Sequence, residues 1–536
     1  MADITTGQTT ASLWASACRC FGERQFLVHL DATGGRTEYS YARFAALIHR
    51  AAHAFLAVGV EPGHPVVVQM RNRPEMLAAF FGLAEIGAIV VPLGMDATAA
   101  ELLRTYQACG AQWAVVEPPH VSTHQQLRAT AGLSAAGLLV VADSEASPVI
   151  PDSGVWDFHE LCAQQSSEPV LSPELDGTHV AELLYTSGTT AAPKGVMITH
   201  ANLVFSGHYG VWQTSLRPDD RVFTTMPACH SNFQLAALLP VLAAGATLVM
   251  TERYSASHFW QQVRHERASI VQLIAMMVRT LLLQPPCDDD ARHELRDALY
   301  FMPLSDAEKE AFETRFGLRM MNSYGSTESI GWAVTDPPVG ERRWPSVGRA
   351  GLGYQVGIFD KAGNELGPDE VGEFRIKGEP GVSLMLGYHN DPDATARALS
   401  PDGWLRTHDE GYRDADGWFY FVDRAVNLIK RAGENISASE VECALTTHPL
   451  IAEAAVIGVP DPIRDKAVLA YVRLRPGAEL SAAEVIEHCR GLLAGFKVPE
   501  FVEFVDDFPR TASMKIEKCR LQRTEPQCCG TDEGNH

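Results

Sequence analysis

The chain has 536 residues, more than one ordinary core holds at roughly 150 residues per domain, so several packed units are expected. With 46% hydrophobic and 21% charged residues it can bury large cores, which excludes an intrinsically disordered chain. Lys plus Arg 44 against Asp plus Glu 66 gives a formal net charge of -22, a field that disfavours nucleic acid and anionic membrane surfaces and admits a polyanionic small molecule only in a locally cationic cleft.

In chain order, the first residues carry an early Asp3 and no basic-then-apolar run, so no signal peptide is expected. From residue 37, short apolar runs at 66–69 and 88–92 alternate with helical patterns at 41–58 and 74–86, the texture of βα units and mostly parallel sheet. A second series follows Pro218, with strands or helices at 221–226, 233–244, 247–250, 256–267, 270–274 and 276–283. The expectation is an α/β fold with two stacked α/β subdomains. The apolar stretch 236–250 is interrupted by Pro240 and Gly245, so no membrane span is expected.

From about residue 351 the pattern changes to short strands and turn dipeptides at 353–359, 360–363, 372–376 and 418–422, which predicts a small β-rich unit. Behind a break near 423–426, segments at 439–447, 451–459, 466–474, 482–494 and 501–505 predict a small, mobile α+β C-terminal domain. The expected division is 1–424 for the N-terminal domain, 425–521 for the C-terminal domain and 522–536 for a disordered tail. The 11 cysteines show no C-x-x-C pair or spaced His partner, which argues against zinc and for reduced thiols in a cytoplasmic compartment.

The strongest signal is Leu183-Leu184-Tyr185-Thr186-Ser187-Gly188-Thr189-Thr190-Ala191-Ala192-Pro193-Lys194-Gly195, an apolar strand running into a hydroxyl-rich loop with one lysine. Such a loop can wrap phosphate oxygens with backbone N–H groups and hydroxyls while Lys194 supplies a point charge. Its spacing is not G-x-x-x-x-G-K-[ST], so the P-loop NTPase reading fails.

This segment resembles the phosphate loop of the adenylate-forming superfamily, which holds acyl-CoA synthetases, nonribosomal adenylation domains and beetle luciferases. Further landmarks stand in the family's order. They are Met226-Pro227-Ala228-Cys229-His230, Tyr324-Gly325-Ser326-Thr327-Glu328, Gly387-Tyr388, Trp404-Leu405-Arg406-Thr407-His408-Asp409, Asp423-Arg424, Gly433-Glu434-Asn435 and Pro509-Arg510-Thr511-Ala512-Ser513-Met514-Lys515. Residues 299–305, 342–349 and 423–431 most resemble the crotonobetaine/carnitine–CoA ligase branch.

The resemblance implies attack of a carboxylate on the α-phosphate of ATP, release of pyrophosphate, and transfer of the acyl group from the adenylate to the thiol of CoA. It implies a loop of Thr186, Ser187, Gly188, Thr189, Thr190 and Lys194 on the phosphates, Glu328 holding Mg²⁺ and Thr327 bonding the α-phosphate. It further implies Tyr324 on adenine, Asp409 and Arg424 on the ribose, His230 beside the reacting carboxylate, and Lys515 as the mobile cation between the two anions. Gly433 would shape the thiol tunnel in a second orientation of the C-terminal domain.

Taken singly, Glu328 reads as a solvated helix start, Lys515 as an exposed lysine and His230 as a core histidine; the ordered set carries the functional reading. Ser231 stands where amino-acid-activating relatives commonly place an Asp, which disfavours an α-amino acid substrate. Ala191, His408 and Met514 replace usual glycines, Val426 occupies the usual hinge position, and Tyr300, Phe301 and Met302 are expected to reshape the acyl pocket. The reading is an AMP-forming acyl-CoA synthetase taking a small-molecule carboxylic acid, with monomer and homodimer both open. Two alternatives are a ligase that loads an acyl carrier protein and a nucleotide-binding pseudo-enzyme.

Overall fold

The computed structural model describes residues 5–95, 97–130, 137–142, 154–170, 175–186, 194–301, 304–424, 428–431, 434–461, 465–493, 495–510 and 516–523. Among these, an eight-stranded sheet runs in the order Gly387–Tyr388, Lys194–Thr199, Val180–Thr186, Ile89–Pro92, Pro65–Gln69, Trp113–Val116, Gly137–Val140, Val155–Asp157. A nine-stranded sheet runs from Arg349–Ala350 through Val334–Thr335, Met320–Tyr324, Asp297–Phe301, Ile270–Ile274, Arg221–Thr224, Thr247–Thr251 and Gln25–Leu30 to Arg36–Ser40. These are the two expected α/β layers, and their central strands pair in parallel.

The helix Tyr41–Ala57 shows why the pattern was readable: Ser40 caps it by accepting from Arg43 N, and Phe44, Ile48, Ala51, Ala52 and Phe55 form one buried stripe. The helix Pro74–Glu85 starts on a proline and is buried almost all round, as a helix lodged between two layers must be. A continuous apolar core joins the layers; Trp14 lies edge-on to Phe26 and Phe81, with ring centroids 4.8 and 5.2 Å apart.

The helix Thr10–Phe21 and the hairpin Gln25–Leu30/Arg36–Ser40 stand outside the expected elements. The first hairpin strand runs parallel to Thr247–Thr251, so the start of the chain completes the second sheet. Its partner, Arg-Thr-Glu-Tyr-Ser, is an exposed edge with no apolar run to announce it.

The β-rich unit is the antiparallel sheet Gln355–Phe359, Gly372–Lys377, Trp404–Arg413, Phe419–Arg424. Beyond it, the hairpin Ile451–Asp461/Asp465–Leu474, the strand Phe501–Phe504 and the helices Ala438–Thr446 and Ala482–Arg490 enclose a separate core that includes Ile436, Val441, Leu445, Val456, Val468 and Val485. A 3-10 turn, Lys518–Arg523, docks on that hairpin because Tyr471 Oη donates to Leu521 O at 2.7 Å, so regular structure runs past the expected start of the tail at 522. No helix among the described residues is long and apolar enough to cross a membrane.

Candidate functional site

The strands Val180–Thr186 and Lys194–Thr199 form a hairpin in which Thr186 is paired with Lys194, so the intervening loop leaves and returns at one rung. Ser187, Gly188, Thr189 and Thr190 of that loop, with Ala191, lie outside the described residues; Thr186 is placed as backbone. Lys194 Nζ stands over the Tyr388 ring, 4.9 Å from its centroid.

Tyr388 reaches that position because Gly387 and Tyr388 add to the sheet edge, antiparallel to Met197 and Val196. The same segment is tied to the Tyr-Gly-Ser-Thr-Glu motif by Met385 N donating to Glu328 O at 2.9 Å. Tyr388 Oη then donates to Glu328 Oε1 at 3.0 Å. Burial, reinforced by the Glu328 charge, holds the phenol well above the ordinary tyrosine value, so it remains a donor. Lys194, Tyr388 and Glu328 thus stand in a row, and Tyr388 is the member that motif reading left without a role.

Glu328 sits on a strained turn. The strand Met320–Tyr324 ends at Gly325, where a Cβ would lie 2.7 Å from Gly331 O, so only glycine lets the chain pass. After the turn Thr327–Ser329, Ile330 has φ 57°, a conformation that costs a β-branched residue about 1–3 kcal/mol. The strain is held by Tyr354, whose Oη donates to Ser329 O at 2.7 Å and accepts from Gly331 N at 3.1 Å.

Thr327 Oγ1 lies 3.3 Å from Ser231 Oγ, which brings the motif against the Met226-Pro227-Ala228-Cys229-His230 segment. His230 Nδ1 accepts from Asn232 N at 3.2 Å and caps the turn Ser231–Phe233. The segment is suspended from buried Asn72: its Nδ2 donates to Met226 O at 2.8 Å and Thr251 O at 3.0 Å, and its Oδ1 accepts from Ala228 N at 2.7 Å. Asn72 also escaped motif reading, since its partners are more than 150 residues away in sequence.

Asp409 and Tyr324 are joined directly, with Tyr324 Oη donating to Asp409 Oδ2 at 2.7 Å, and both are buried. The Tyr324 ring stacks on Phe374 with centroids 4.9 Å apart, which fixes its plane. Arg424 is paired with Asp409 in the sheet register. His408, in place of the usual glycine, adopts φ 58°, and its 63% exposed side chain lies 3.4 Å from Glu373 Oε1. The backbone there keeps the shape that glycine would give it.

Tyr300 and Phe301 part company with expectation. Strand alternation in Asp297–Phe301 sends Tyr300 into full burial beside Arg279 and Glu308, whereas Phe301 stacks on Trp332 with centroids 3.9 Å apart. Both are core residues, and of the two it is Phe301 that packs on Trp332, shortly after the Tyr-Gly-Ser-Thr-Glu motif. Met302 lies outside the described residues, as do Val426, Gly433, Met514 and Lys515. The flanks of Lys515 are defined: Arg510 and Ile516 form an antiparallel bridge, and Arg520 acts electrostatically on Glu101 of the N-terminal part.

Among the described residues no group of three or more His, Cys, Asp or Glu side chains could hold a metal ion. Glu328 offers one carboxylate, a donor set that suits Mg²⁺ carried largely by phosphate oxygens and water.

Residues 14–389 match the family model described as AMP-binding enzyme, and residues 440–515 match the AMP-binding enzyme C-terminal domain. Crotonobetaine/carnitine–CoA ligase from Salmonella enteritidis PT4 is 40% identical over 520 residues, covering 97% of this chain and 100% of the relative. The ligase of the same name from Salmonella typhi is 41% identical with the same coverage. Among solved structures, ATP-bound MatB from Rhodopseudomonas palustris gives a TM-score of 0.84 at 25% identity over 96% of this chain and 98% of that one. O-succinylbenzoate coenzyme A synthetase from Bacillus subtilis in complex with AMP gives 0.82 at 26% identity, over 97% and 99%.

Proposed function

The chain belongs to the AMP-binding enzyme family and is an AMP-forming acid–CoA ligase, and from that premise we propose that it activates a small carboxylic acid on Mg-ATP and passes the acyl group to the CoA thiol. The observation that carries this reading is the row Lys194, Tyr388, Glu328 beside the hydroxyl-rich loop.

The first step brings a carboxylate against a phosphate. Two unit negative charges about 4 Å apart repel by about 4 kcal/mol at an effective dielectric of 20, so cationic and hydrogen-bonding groups must offset that repulsion. Lys194 supplies positive charge next to the loop. Glu328 would hold Mg²⁺, which when bound neutralises phosphate oxygens. His230, held by its Nδ1 bond to Asn232 N, would border the substrate carboxylate, and Thr327 and Ser231 bring hydroxyls to the same wall. Tyr324 and Asp409 form the nucleoside side, where the carboxylate accepts from ribose hydroxyls. Lys515 approaches from a C-terminal domain, residues 425–521, that alternates between two orientations.

The identity to ligases named for crotonobetaine and carnitine puts these two acids at the head of the substrate panel. Carboxylate-dependent ATP–pyrophosphate exchange over that panel tests the first half-reaction, and CoA against carrier-protein phosphopantetheine tests the second. Exchange supported by an acid and lost in Lys194→Ala is expected. Exchange with no acid, or exchange that Lys194→Ala leaves intact, would overturn the reading.

A further inference from the structure

Glu182 lies on the strand Val180–Thr186, which opens the hydroxyl-rich loop, and it is fully buried. Its partners across the sheet are the apolar Val90 and Ile198. From the other layer the polar side chain that faces it is Gln234, the first residue of the π-helical turn Gln234–Leu238. Among the described residues no charged group acts on Glu182 from any of these elements.

Both Glu182 carboxyl oxygens and Gln234 Oε1 are buried without a hydrogen-bond donor among the described residues. One N–H of Gln234 Nε2 donates to Ala228 O at 3.0 Å, and the second makes no hydrogen bond to either Glu182 oxygen. Turning the carboxamide over to serve Glu182 would set its oxygen against that carbonyl. Buried acceptors with no donor are costly, and a proton on the carboxyl removes the conflict.

We propose that Glu182 is a neutral carboxylic acid whose O–H donates to Gln234 Oε1, a positioning residue that ties the loop-bearing strand to the segment carrying His230. The hydrogen bonds then run in series: Glu182 O–H to Gln234 Oε1, Gln234 N–H to Ala228 O, and Ala228 N–H to Asn72 Oδ1. Burial supports this state: it outweighs the lowering influence of the neighbouring Gln234 carboxamide and pushes the carboxyl up to about 8. The positional consequence rests on the function proposed above, because it needs the loop and His230 to meet the two reactants of one step.

Two measurements test it. Infrared difference spectra between the full-length protein and Glu182→Gln at pH 7 should contain the carbonyl stretch of a protonated carboxylic acid, a readout that needs no activity. In pyrophosphate exchange, Glu182→Gln should stay within about twofold of wild type because its amide N–H donates to the same oxygen, whereas Glu182→Leu should raise the KM of the acid about tenfold. The wild-type KM should climb above pH 8 and that of Glu182→Gln should not. A missing infrared band, or Glu182→Gln as impaired as Glu182→Leu, or identical pH profiles, would overturn the proposal. If Glu182→Leu does not fold, the infrared and Glu182→Gln arms decide. If no acid supports exchange, the functional reading fails while the infrared arm still judges the protonation state.

Discussion

Replacing Tyr388 by Phe isolates one atom of the proposed site. The ring stays, and with it the 4.9 Å contact to Lys194; what goes is the 3.0 Å hydrogen bond to Glu328. A hydrogen bond to a charged group contributes about 1.5–3 kcal/mol, and this donor is buried, so little of it is recovered from water. At about 1.4 kcal/mol per factor of ten, the kcat/KM for ATP should fall about 10- to 100-fold, with a matching rise in the Mg²⁺ concentration for half-maximal rate. Tyr388→Leu also removes the cationic contact, worth about 0.5–2 kcal/mol, and should lose a further few-fold to about 30-fold. The assay is acid-dependent pyrophosphate exchange with ATP and Mg²⁺ varied independently, on variants whose circular dichroism matches wild type. Wild-type exchange by Tyr388→Phe at every Mg²⁺ concentration would refute the role given to this row.

Asp409→Asn should raise the KM for ATP about tenfold or more and leave that of the acid unchanged, and combining it with Tyr324→Phe should cost less than the sum because the two share one 2.7 Å bond; additive losses on steady-state kinetics would contradict this. Glu182 has a folded-state value near 8 against an ordinary 4.5, so the native state holds a proton that the unfolded chain releases, and stability should decline as pH rises through that window. Between pH 5 and 7 the decline should be on the order of 2–3 kcal/mol, and Glu182→Gln should lack it; parallel urea-denaturation profiles for the two proteins would count against a neutral carboxyl. Lys515→Ala should abolish exchange yet largely keep thioester formation from a presynthesised adenylate, and equal loss of both half-reactions would contradict domain alternation.

Much of the fold was legible because parallel strands buried on both faces read as apolar runs: Val66, Val67 and Val68, or the strand Ile270–Ile274, can hardly be anything else. The hairpin strand Arg36–Ser40 was not legible, since its first three side chains face water and pairing, not periodicity, makes it a strand. At the site, loop and motif residues were marked by composition and order, Tyr388 among them though without a role, whereas Asn72 and Gln234 are ordinary residues until distant chain segments meet. Tyr300 shows the opposite failure. It was expected to reshape the acyl pocket, but its strand is buried on both faces and Tyr300 lies wholly in the core.

The placement of Tyr388 also answers a question that the net charge of -22 raises, namely how an acidic chain keeps a lysine available for phosphate. Lys194 and Glu328 approach different parts of one ring, the cation its face and the carboxylate its hydroxyl. A direct ion pair would satisfy each charge with the other, and a ligand would then have to break it before using either. The interposed phenol supports both charges without cancelling them: its quadrupole attracts the ammonium while its O–H stabilises the carboxylate. The arrangement is built across the fold, because Lys194 belongs to the eight-stranded sheet, Glu328 follows a strand of the nine-stranded sheet, and Tyr388 comes from the short edge strand between them in contact. Charge separation at this point is therefore a product of the packing of two sheets within the N-terminal part, and a change that loosens the 385–388 segment should impair nucleotide use even where it touches neither charged side chain.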